Sequence, residues 1–457
     1  MNTGSDPTET RLSPGFKLLY GSGNLTSSIP LTIIMFFQLY FLTDVAGLRP
    51  DYAAWSIAAG RIWDAVNDPL FGVLSDRIRH PLGRRRILLL TGSLPLGITF
   101  FLMWLVPDFP QVWQAVYYAL IFIFFDTCFT AVHVGYNALT PMLSRDYDER
   151  SSINGYRMIF SMGSTLIAVI FATLLSQVIP DPRRVYMILG LLLGLLSAIP
   201  PFVVYAITGQ YRSTEDPSPL KVRQSILATL SNKPFQKVTG LYLLSWTAAS
   251  VVAAVLVYYA NYYLGVPEQA NYFVLAAQTA AIFFIPLVVF LARQFDKKRA
   301  FLIGVGSWML FLMALLPLQP DMVPAAYLLA GFSGLGIATV NVVPWAMLPD
   351  IIEHDQLITG RRREGSFYAF ISFFQKLGTG AALWAMGQLL HTAGYVTPQA
   401  GQPLPVQPDR AVVTIRFFAS LVPAGLLLIS LLFAAGYSIT REQHQATLDR
   451  LAELHSS

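Results

Sequence analysis

The stretch G-V-L-S-D-R-I-R-H-P-L-G-R-R-R, from Gly72 to Arg86, is a basic connection between two long apolar segments. It holds one aspartate and five arginines, whereas the segments at residues 52–76 and 87–107 are predominantly apolar. The whole chain of 457 residues is 54% hydrophobic and 12% charged, against about 25% charged residues in ordinary soluble domains. This composition predicts a membrane protein whose charges are concentrated in connections of this kind.

Apolar segments of roughly 17 to 25 residues, long enough to cross a bilayer, recur along the chain. Twelve are predicted, at residues 16–43, 52–76, 87–107, 112–143, 153–179, 185–208, 237–263, 269–292, 300–317, 325–349, 364–393 and 411–437. The first lacks a small-residue cleavage site, which favours a helix over a signal peptide. Cys128 is the only cysteine, so an intrachain disulfide is excluded. The predicted fold class is an all-α membrane protein with twelve transmembrane helices in two six-helix halves.

The basic residues are distributed unevenly between the two sets of connections. Of the 31 Lys and Arg residues, 23 belong to the termini and the even-numbered connections when Lys17 and Lys237 at the span ends are counted with them, 4 lie in the odd-numbered connections, and 4 lie well inside spans. Cytoplasmic connections carry the excess of Lys and Arg. The sequence therefore predicts a multi-pass protein of the plasma (inner) membrane with both termini in the cytoplasm.

A polar stretch rich in proline and charge separates the sixth and seventh spans. It predicts an N-terminal half at residues 1–208, a cytoplasmic linker at 209–236, and a C-terminal half with a cytoplasmic tail at 237–457. A faint repeat agrees with this division, because Y-N-A-L-T-P-M-L at 136–143 resembles P-W-A-M-L-P-D-I at 344–351, and the basic loop after Asp76 resembles the loop at Asp296. Transporters built from such repeats bind their substrate near the midplane.

The Gly72 to Arg86 loop resembles the cytoplasmic signature of the major facilitator superfamily, with a longer spacer before Gly83. The resemblance implies a charge lock between helices that opens during alternating access. The candidate gating residues are Asp76, Arg77, Arg84 and Arg85. The alternative is that these charges only set the topology.

Charged residues interrupt the second span in the sequence R-I-W-D-A-V-N-D-P, where Arg61, Asp64, Asn67 and Asp68 follow at helical spacing on one face. A charge at mid-bilayer costs about 2.5 to 3.5 kcal/mol on insertion scales. Two ionised carboxylates one turn apart repel, and a bound cation or proton relieves that repulsion. Oxygen ligands suit a small hard cation. The alternative is a structural ion pair of Arg61 with one aspartate.

This stretch resembles the second helix of the glycoside-pentoside-hexuronide:cation symporters, the family of the melibiose permease, and the resemblance extends over nearly the whole chain. It implies a coupling ion, sodium or proton, and no other cofactor. The implied cation-binding residues are Asp64, Asn67, Asp68 and Thr130, with sodium at Asp64 and Asp68 if sodium is the coupling ion.

The fourth span carries Asp126, Thr130 and His133 on one face, which predicts a cavity wall or, alternatively, a buried polar cluster between helices. The family's sugar-binding aspartates align with Ser28 and His133, which weakens the sugar interpretation. The segment H-V-G-Y-N-A-L-T is instead similar to the sodium-dependent lysolipid transporters. The candidate substrate-cavity residues are Ser28, Asp126, His133, Asn137, Arg157 and Lys376.

Lys376 lies deep in the eleventh span. The resemblance places it beside the substrate cavity, where it binds an anionic group or pairs with an acid such as Asp64. The alternative is that the lysine reaches an interface by snorkelling, as is expected for Arg416 near the outer end of the twelfth span.

These features predict a cation-coupled secondary active symporter that moves a small organic solute by alternating access. By family the solute is a sugar or glycoside, and the alternative is a lysophospholipid or another amphiphile. A sensor or an enzyme is disfavoured, because no large soluble domain, P-loop, H-E-x-x-H or G-x-S-x-G motif is found. The predicted partners are the substrate and membrane lipids, without nucleic acid, and the predicted oligomeric state is a monomer.

Overall fold

The fold is taken from a computed structural model, which describes residues 12–78, 80–144, 146–209, 232–359, 364–399 and 402–456. All regular secondary structure in these ranges is helical. The chain divides into two compact units, Met1–Ser218 with Thr397–Pro405, and Pro219–Val396 with Val406–Ser457.

The helices of the first unit are α1 (Pro14–Gly21), α2 (Leu25–Tyr40), α3 (Pro50–Arg77), α4 (Arg84–Leu102), α5 (Gln111–Leu143), α6 (Tyr147–Val178) and α7 (Pro182–Ile207). A 3-10 turn at Ser22–Asn24 joins α1 to α2, and a π turn at Phe41–Val45 extends α2. Together these segments form one helical span, Pro14–Val45.

The helices of the second unit are α8 (Lys233–Tyr258), α9 (Ala270–Phe295), α10 (Lys297–Met313), α11 (Val323–Thr359), α12 (Glu364–Thr392), α13 (Asp409–Ala419), α14 (Leu421–Ala435) and α15 (Arg441–Ser456). A π turn at Tyr259–Tyr263 extends α8, and a 3-10 turn at Pro267–Gln269 precedes α9.

Nine helical segments of the described ranges are long and apolar enough to cross a membrane. The remaining three predicted spans correspond to α3, which carries charges in its middle, to α10, which has 17 residues, and to α12. The chain is therefore a multi-pass membrane protein, and the predicted all-α class is confirmed.

The first long helix of each unit ends in the same way. In the first unit the π turn Phe41–Val45 is followed by Gly47 at φ +73°, and in the second unit the π turn Tyr259–Tyr263 is followed by Gly265 at φ +68°. Glycine adopts this left-handed conformation without a steric penalty. The two units thus share a local geometry that their sequences do not reveal.

The basic loops of the two units also correspond, but with a different register from the one predicted. Gly83 at φ +90° precedes α4, and Asp296 at φ +88° precedes α10. Three basic residues follow each of them. Asp296 is therefore the structural counterpart of Gly83, and the predicted pairing of Asp296 with Asp76 is wrong. The Asp296 side chain accepts a hydrogen bond from the Lys297 N–H at 2.6 Å, which helps this residue to hold a left-handed conformation.

Some boundaries differ from the predictions. Helix α11 continues to Thr359, ten residues beyond the predicted end, with Pro344 and Pro349 inside it. The last span is broken at Ser420. Most of the predicted linker, residues 210–231, lies outside the described residues, so the division into halves and linker stays a prediction.

Candidate functional site

Helix α3 packs against α5 at very short range because Gly60 faces the ring of Phe122. A Cβ atom built on Gly60 would lie 1.8 Å from Phe122 Cδ1, so no other residue fits without a shift of the ring. Elsewhere on the same interface Ser56 Oγ donates to the Ala115 carbonyl at 2.9 Å. This close approach brings the polar residues of the two helices within hydrogen-bonding distance.

Two sets of hydrogen bonds join the polar faces of α3 and α5. Asn67 Nδ2 donates to the Asp126 carboxylate at 3.0 Å and to the Asp126 carbonyl at 3.2 Å. One residue further along α3, Asp68 Oδ1 accepts from Thr130 Oγ1 at 3.2 Å. Asn67, Asp126 and Thr130 are 1%, 4% and 2% exposed. The two helices therefore bury a continuous polar seam rather than an apolar one.

Asp64 is on the same face of α3, next to Arg61. The Arg61 guanidinium lies 3.7 Å from Asp64 Oδ2 and 5.5 Å from the centre of the Phe122 ring. Its Nε is buried and has no hydrogen-bond partner among the described residues. The ion pair is thus long and incompletely satisfied, although both partners are removed from water. A buried ion pair of this kind is weak evidence for stability by itself.

The donor set of this seam fits a small hard cation. Asp64 and Asp68 supply carboxylate oxygens, Thr130 supplies a hydroxyl, and the amide of Asn67 donates through its nitrogen, which leaves its oxygen for a ligand. Oxygen donors of this kind are those that hard cations prefer. Within the described part of the chain, no group of three or more His, Cys, Asp or Glu side chains converges as a metal site.

A second polar cluster surrounds Arg157 of α6. Its guanidinium donates to Asn137 Oδ1 at 2.5 Å and Thr140 Oγ1 at 3.0 Å, and lies 4.7 Å from the Tyr136 ring centre. Asn137 in turn contacts His133 Nε2 at 2.8 Å. None of the side chains that contact Arg157 in the described residues is a carboxylate. This arginine is held in place by neutral groups, and none of these contacts compensates its charge.

Hydroxyl pairs connect α2 with α6 along one side of this cluster. Ser28 Oγ and Ser161 Oγ are 2.9 Å apart, and Thr32 Oγ1 and Thr165 Oγ1 are 3.2 Å apart. Ser28, the predicted substrate residue, therefore belongs to a ladder of paired hydroxyls.

His133 is oriented by aromatic packing as well as by its hydrogen bond. Its ring stacks on Phe129 with centroids 5.5 Å apart and an interplanar angle of 10°. The sequence predicts that one face of α5 carries Asp126, Thr130 and His133. In the structure these residues contact different groups. Asp126 and Thr130 contact α3, whereas His133 contacts the Asn137 and Arg157 cluster.

The remaining predicted residues lie elsewhere. Lys376 is on α12 in the second unit and is half-buried. In the basic loop, the side chains of Asp76, Arg77 and Arg84 lie outside the described part of the chain, while Arg85 is half-buried. Arg416 donates to the Leu316 carbonyl at 2.6 Å and lies over the Tyr263 ring, so it contacts the connection that follows α10.

Several residues with well-defined polar contacts were not predicted. Tyr20 Oη contacts Thr140 Oγ1 at 2.8 Å, and Arg86 donates to the Tyr205 carbonyl at 2.7 Å. In the second unit Lys297 and His444 both contact Asp350, at 2.6 Å and 3.5 Å. These contacts could not be predicted from the sequence, because the two partners of each contact lie on different helices. The one indication in the sequence of such a residue is a charge placed within an apolar span.

Comparison with known families gives one match over almost the entire chain. The model of the family described as MFS/sugar transport protein matches residues 19–441. An uncharacterized symporter of Synechocystis is 32% identical, and the alignment covers 94% of each chain. The sodium-dependent lysophosphatidylcholine symporter 1 of Gallus gallus is 27% identical over 97% of this chain and 90% of its own length.

Solved structures agree in fold. The nucleoside transporter NupG superposes with a TM-score of 0.63 at 12% identity and covers 93% of this chain and 99% of its own. A D-xylose-proton symporter gives a TM-score of 0.60 at 14% identity and covers 93% of this chain and 96% of its own. At such low identity these similarities concern the fold alone.

Proposed function

Because the chain belongs to the MFS/sugar transport protein family, a family of secondary transporters, we propose that it is a sodium-coupled symporter. The observation that carries the proposal is the buried seam of Asp64, Asn67, Asp68 and Thr130 between α3 and α5. Relatives named as sodium-dependent symporters support sodium over the proton as the coupling ion. The sequence offers no catalytic motif in support of an enzymatic activity.

Sodium binding at this seam follows from charge and geometry. Asp64 and Asp68 place two carboxylates within about one helical turn, and Arg61 lies 3.7 Å from Asp64. A sodium ion at these two carboxylates would take the Thr130 hydroxyl and the Asn67 amide oxygen as further ligands. Sodium would thus change the charge balance of α3, which provides a physical link between ion binding and movement of this helix.

We propose that the substrate carries an anionic or zwitterionic group, with a lysophospholipid as the first candidate. Arg157 is held by Asn137 and Thr140 and has no carboxylate partner among the described residues, so its charge is available to a phosphate. The named relatives, sodium-dependent lysophosphatidylcholine symporters, support this candidate. The other residues proposed to line the substrate cavity are Ser28, Asp126, His133, Asn137 and Lys376.

A sugar or glycoside is the second candidate. The family description supports it, and the paired hydroxyls of Ser28 and Ser161 offer donors and acceptors of the kind that sugars need. The positions that hold sugar-binding aspartates in the melibiose permease family are Ser28 and His133 in this chain. A neutral sugar would therefore lack carboxylate acceptors at these two positions.

Further proposals concern the cell biology of the transporter. The excess of basic residues in the even-numbered connections supports cytoplasmic termini, and the plasma membrane is the proposed location. The proposed cytoplasmic gate consists of the loop residues Asp76, Arg77, Arg84 and Arg85. The proposed functional unit is a monomer, since each half supplies its own helix bundle.

The two substrate candidates are separated by uptake into proteoliposomes. Purified protein is reconstituted and offered radiolabelled lysophosphatidylcholine or a radiolabelled neutral galactoside under the same inward sodium gradient. We expect uptake of the lysophospholipid and competition by other lysophospholipids. Uptake of the galactoside without uptake of the lysophospholipid would reject the first candidate in favour of the second.

A further inference from the structure

An internal cavity of the second unit has a nearly filled counterpart in the first. Each lies beside the first residue of a π turn, Phe41 in the first unit and Tyr259 in the second. The cavity volume is about 10 Å³ in the first unit and about 50 Å³ in the second. The smaller cavity has room for one water molecule at most. Of these two cavities, the one in the second unit keeps space for a larger ligand.

Two aromatic residues account for the difference. Trp104 lies two residues beyond the end of α4, and Leu315 lies two residues beyond the end of α10. Tyr118 and Ala330 each lie seven residues after the first residue of their helix, α5 and α11. All four residues line their cavities. The second unit thus has Leu and Ala where the first has Trp and Tyr, so the shared fold does not itself require an open cavity.

The walls of the larger cavity are apolar except for two hydroxyls. Tyr259 is 4% exposed, and its Oη has no hydrogen-bond partner among the described residues. Ser333 Oγ donates to the Leu329 carbonyl at 2.8 Å and keeps its lone pairs for an acceptor role. A buried hydroxyl without a partner is costly, so the Tyr259 O–H requires an acceptor.

We propose that this cavity binds a short neutral alcohol or an amphiphile that ends in one. Its carbon atoms fill the apolar space beside Ala330 and Leu315, its oxygen accepts a hydrogen bond from Tyr259, and its own hydroxyl hydrogen is donated to Ser333 Oγ. The residues that line the cavity are uncharged and Arg416 lies within electrostatic range of the Tyr259 hydroxyl, so a neutral ligand fits these walls better than a cation. The site lies wholly within the second unit and is separate from the seam between α3 and α5.

A ligand at this site contacts two interruptions of the helical structure. Tyr259 is the first residue of the π turn that extends α8, and Ala419, which also lines the cavity, is the last residue of α13 before the break at Ser420. A ligand bound in this cavity therefore stabilises the observed arrangement of α8 and α13 relative to other arrangements of the two helices.

Two small probes test the site in crystals of the full chain. Crystals are soaked with 2-bromoethanol, whose bromine is located by anomalous scattering, or are pressurised with xenon. We expect both probes in the cavity of the second unit and neither in its counterpart beside Phe41, which serves as an internal control. Absence of 2-bromoethanol from the wild-type cavity would overturn the proposal, whether or not xenon enters.

Variants separate the contribution of space from that of the hydroxyl. Ala330→Leu fills the cavity and should exclude both probes. If Ala330→Leu does not fold, Ala277→Val, which narrows the same cavity, is used in its place. Tyr259→Phe should retain xenon and weaken 2-bromoethanol about tenfold, the effect of one neutral hydrogen bond. Undiminished 2-bromoethanol in Tyr259→Phe would contradict the assigned hydrogen bond, and undiminished binding in a folded cavity-filling variant would contradict the location.

Discussion

Asp68 of α3 accepts a hydrogen bond from the Thr130 hydroxyl of α5 at 3.2 Å, on the polar face that these two helices share. A hydroxyl that donates its hydrogen to a carboxylate keeps both lone pairs, so Thr130 would serve as a ligand of a cation at Asp68 while this contact is kept. We therefore expect a cation at the proposed site to strengthen the contact between α3 and α5.

Neutralising either aspartate of α3 should abolish sodium coupling without unfolding the protein. Asp64→Asn and Asp68→Asn keep the side-chain volume and remove one ligand charge, so sodium affinity should fall by roughly 10-fold to 100-fold. The measurement is sodium-dependent uptake, with membrane expression quantified for each variant. Asp108→Asn, at an exposed residue outside the helices, is the matched control. Full sodium stimulation in both variants would remove these residues from the coupling site.

The contact of Gly60 with Phe122 should limit which substitutions the interface between α3 and α5 tolerates. Gly60→Ala places a methyl group against the ring and should destabilise the protein by about 1–3 kcal/mol, the usual cost of overpacking. Thermal unfolding in detergent measures the loss. Phe122→Leu in the same chain should restore part of the stability, and a Gly60→Ala protein as stable as wild type would show that the helices separate more easily than the structure indicates.

Arg157 should matter more for an anionic substrate than for a neutral one. Arg157→Gln removes the charge while keeping a donor for Asn137, so uptake of a lysophospholipid should fall by at least about tenfold. Arg157→Lys keeps the charge but cannot reproduce the forked contacts, and an intermediate rate is expected. Arg184→Gln, at an exposed arginine, is the control. Equal uptake by all variants would leave Arg157 with a structural role only.

Lys376 should behave as a substrate-binding charge and not as a membrane anchor. Lys376→Ala and Lys376→Gln should impair transport more than insertion, and Lys376→Arg should retain partial uptake of an anionic substrate. Uptake is compared with surface expression for each variant, with Lys233→Gln at an exposed lysine as the control. Unchanged transport by all three variants would favour the snorkelling alternative.

The topology can be tested by labelling of introduced cysteines. In a Cys128→Ala background, a cysteine at Ser218 should be protected from an impermeant reagent added to intact cells, because the surrounding basic connection is predicted to be cytoplasmic. A cysteine at Gln402, in the eleventh connection, should react. Labelling of Ser218→Cys from outside would reverse the assigned orientation.

The sequence predicted the fold class because burial in lipid leaves a strong compositional signal, and it predicted the common face of Asp64, Asn67 and Asp68 because helical spacing is regular. It did not predict the partner of each group. The contact of Asn67 with Asp126 depends on how closely α3 approaches α5, and that distance is set by Gly60 and Phe122 on different helices.

The π turns and the register of the basic loops were missed for a related reason. Phe41–Val45 and Tyr259–Tyr263 share geometry but hardly any residues, and Gly83 and Asp296 adopt the same backbone conformation with different side chains. When two dissimilar sequences adopt the same backbone conformation, neither sequence alone predicts that conformation.

The central claim, sodium-coupled symport through the α3 and α5 seam, is tested most directly by gradient-driven uptake in proteoliposomes. Radiolabelled lysophosphatidylcholine uptake is measured with an inward sodium gradient, with an equal potassium gradient, and with a proton gradient, for wild type and Asp68→Asn. We expect accumulation by wild type under the sodium gradient only, and none by Asp68→Asn. Accumulation that is independent of sodium, or that persists in Asp68→Asn, would contradict the claim.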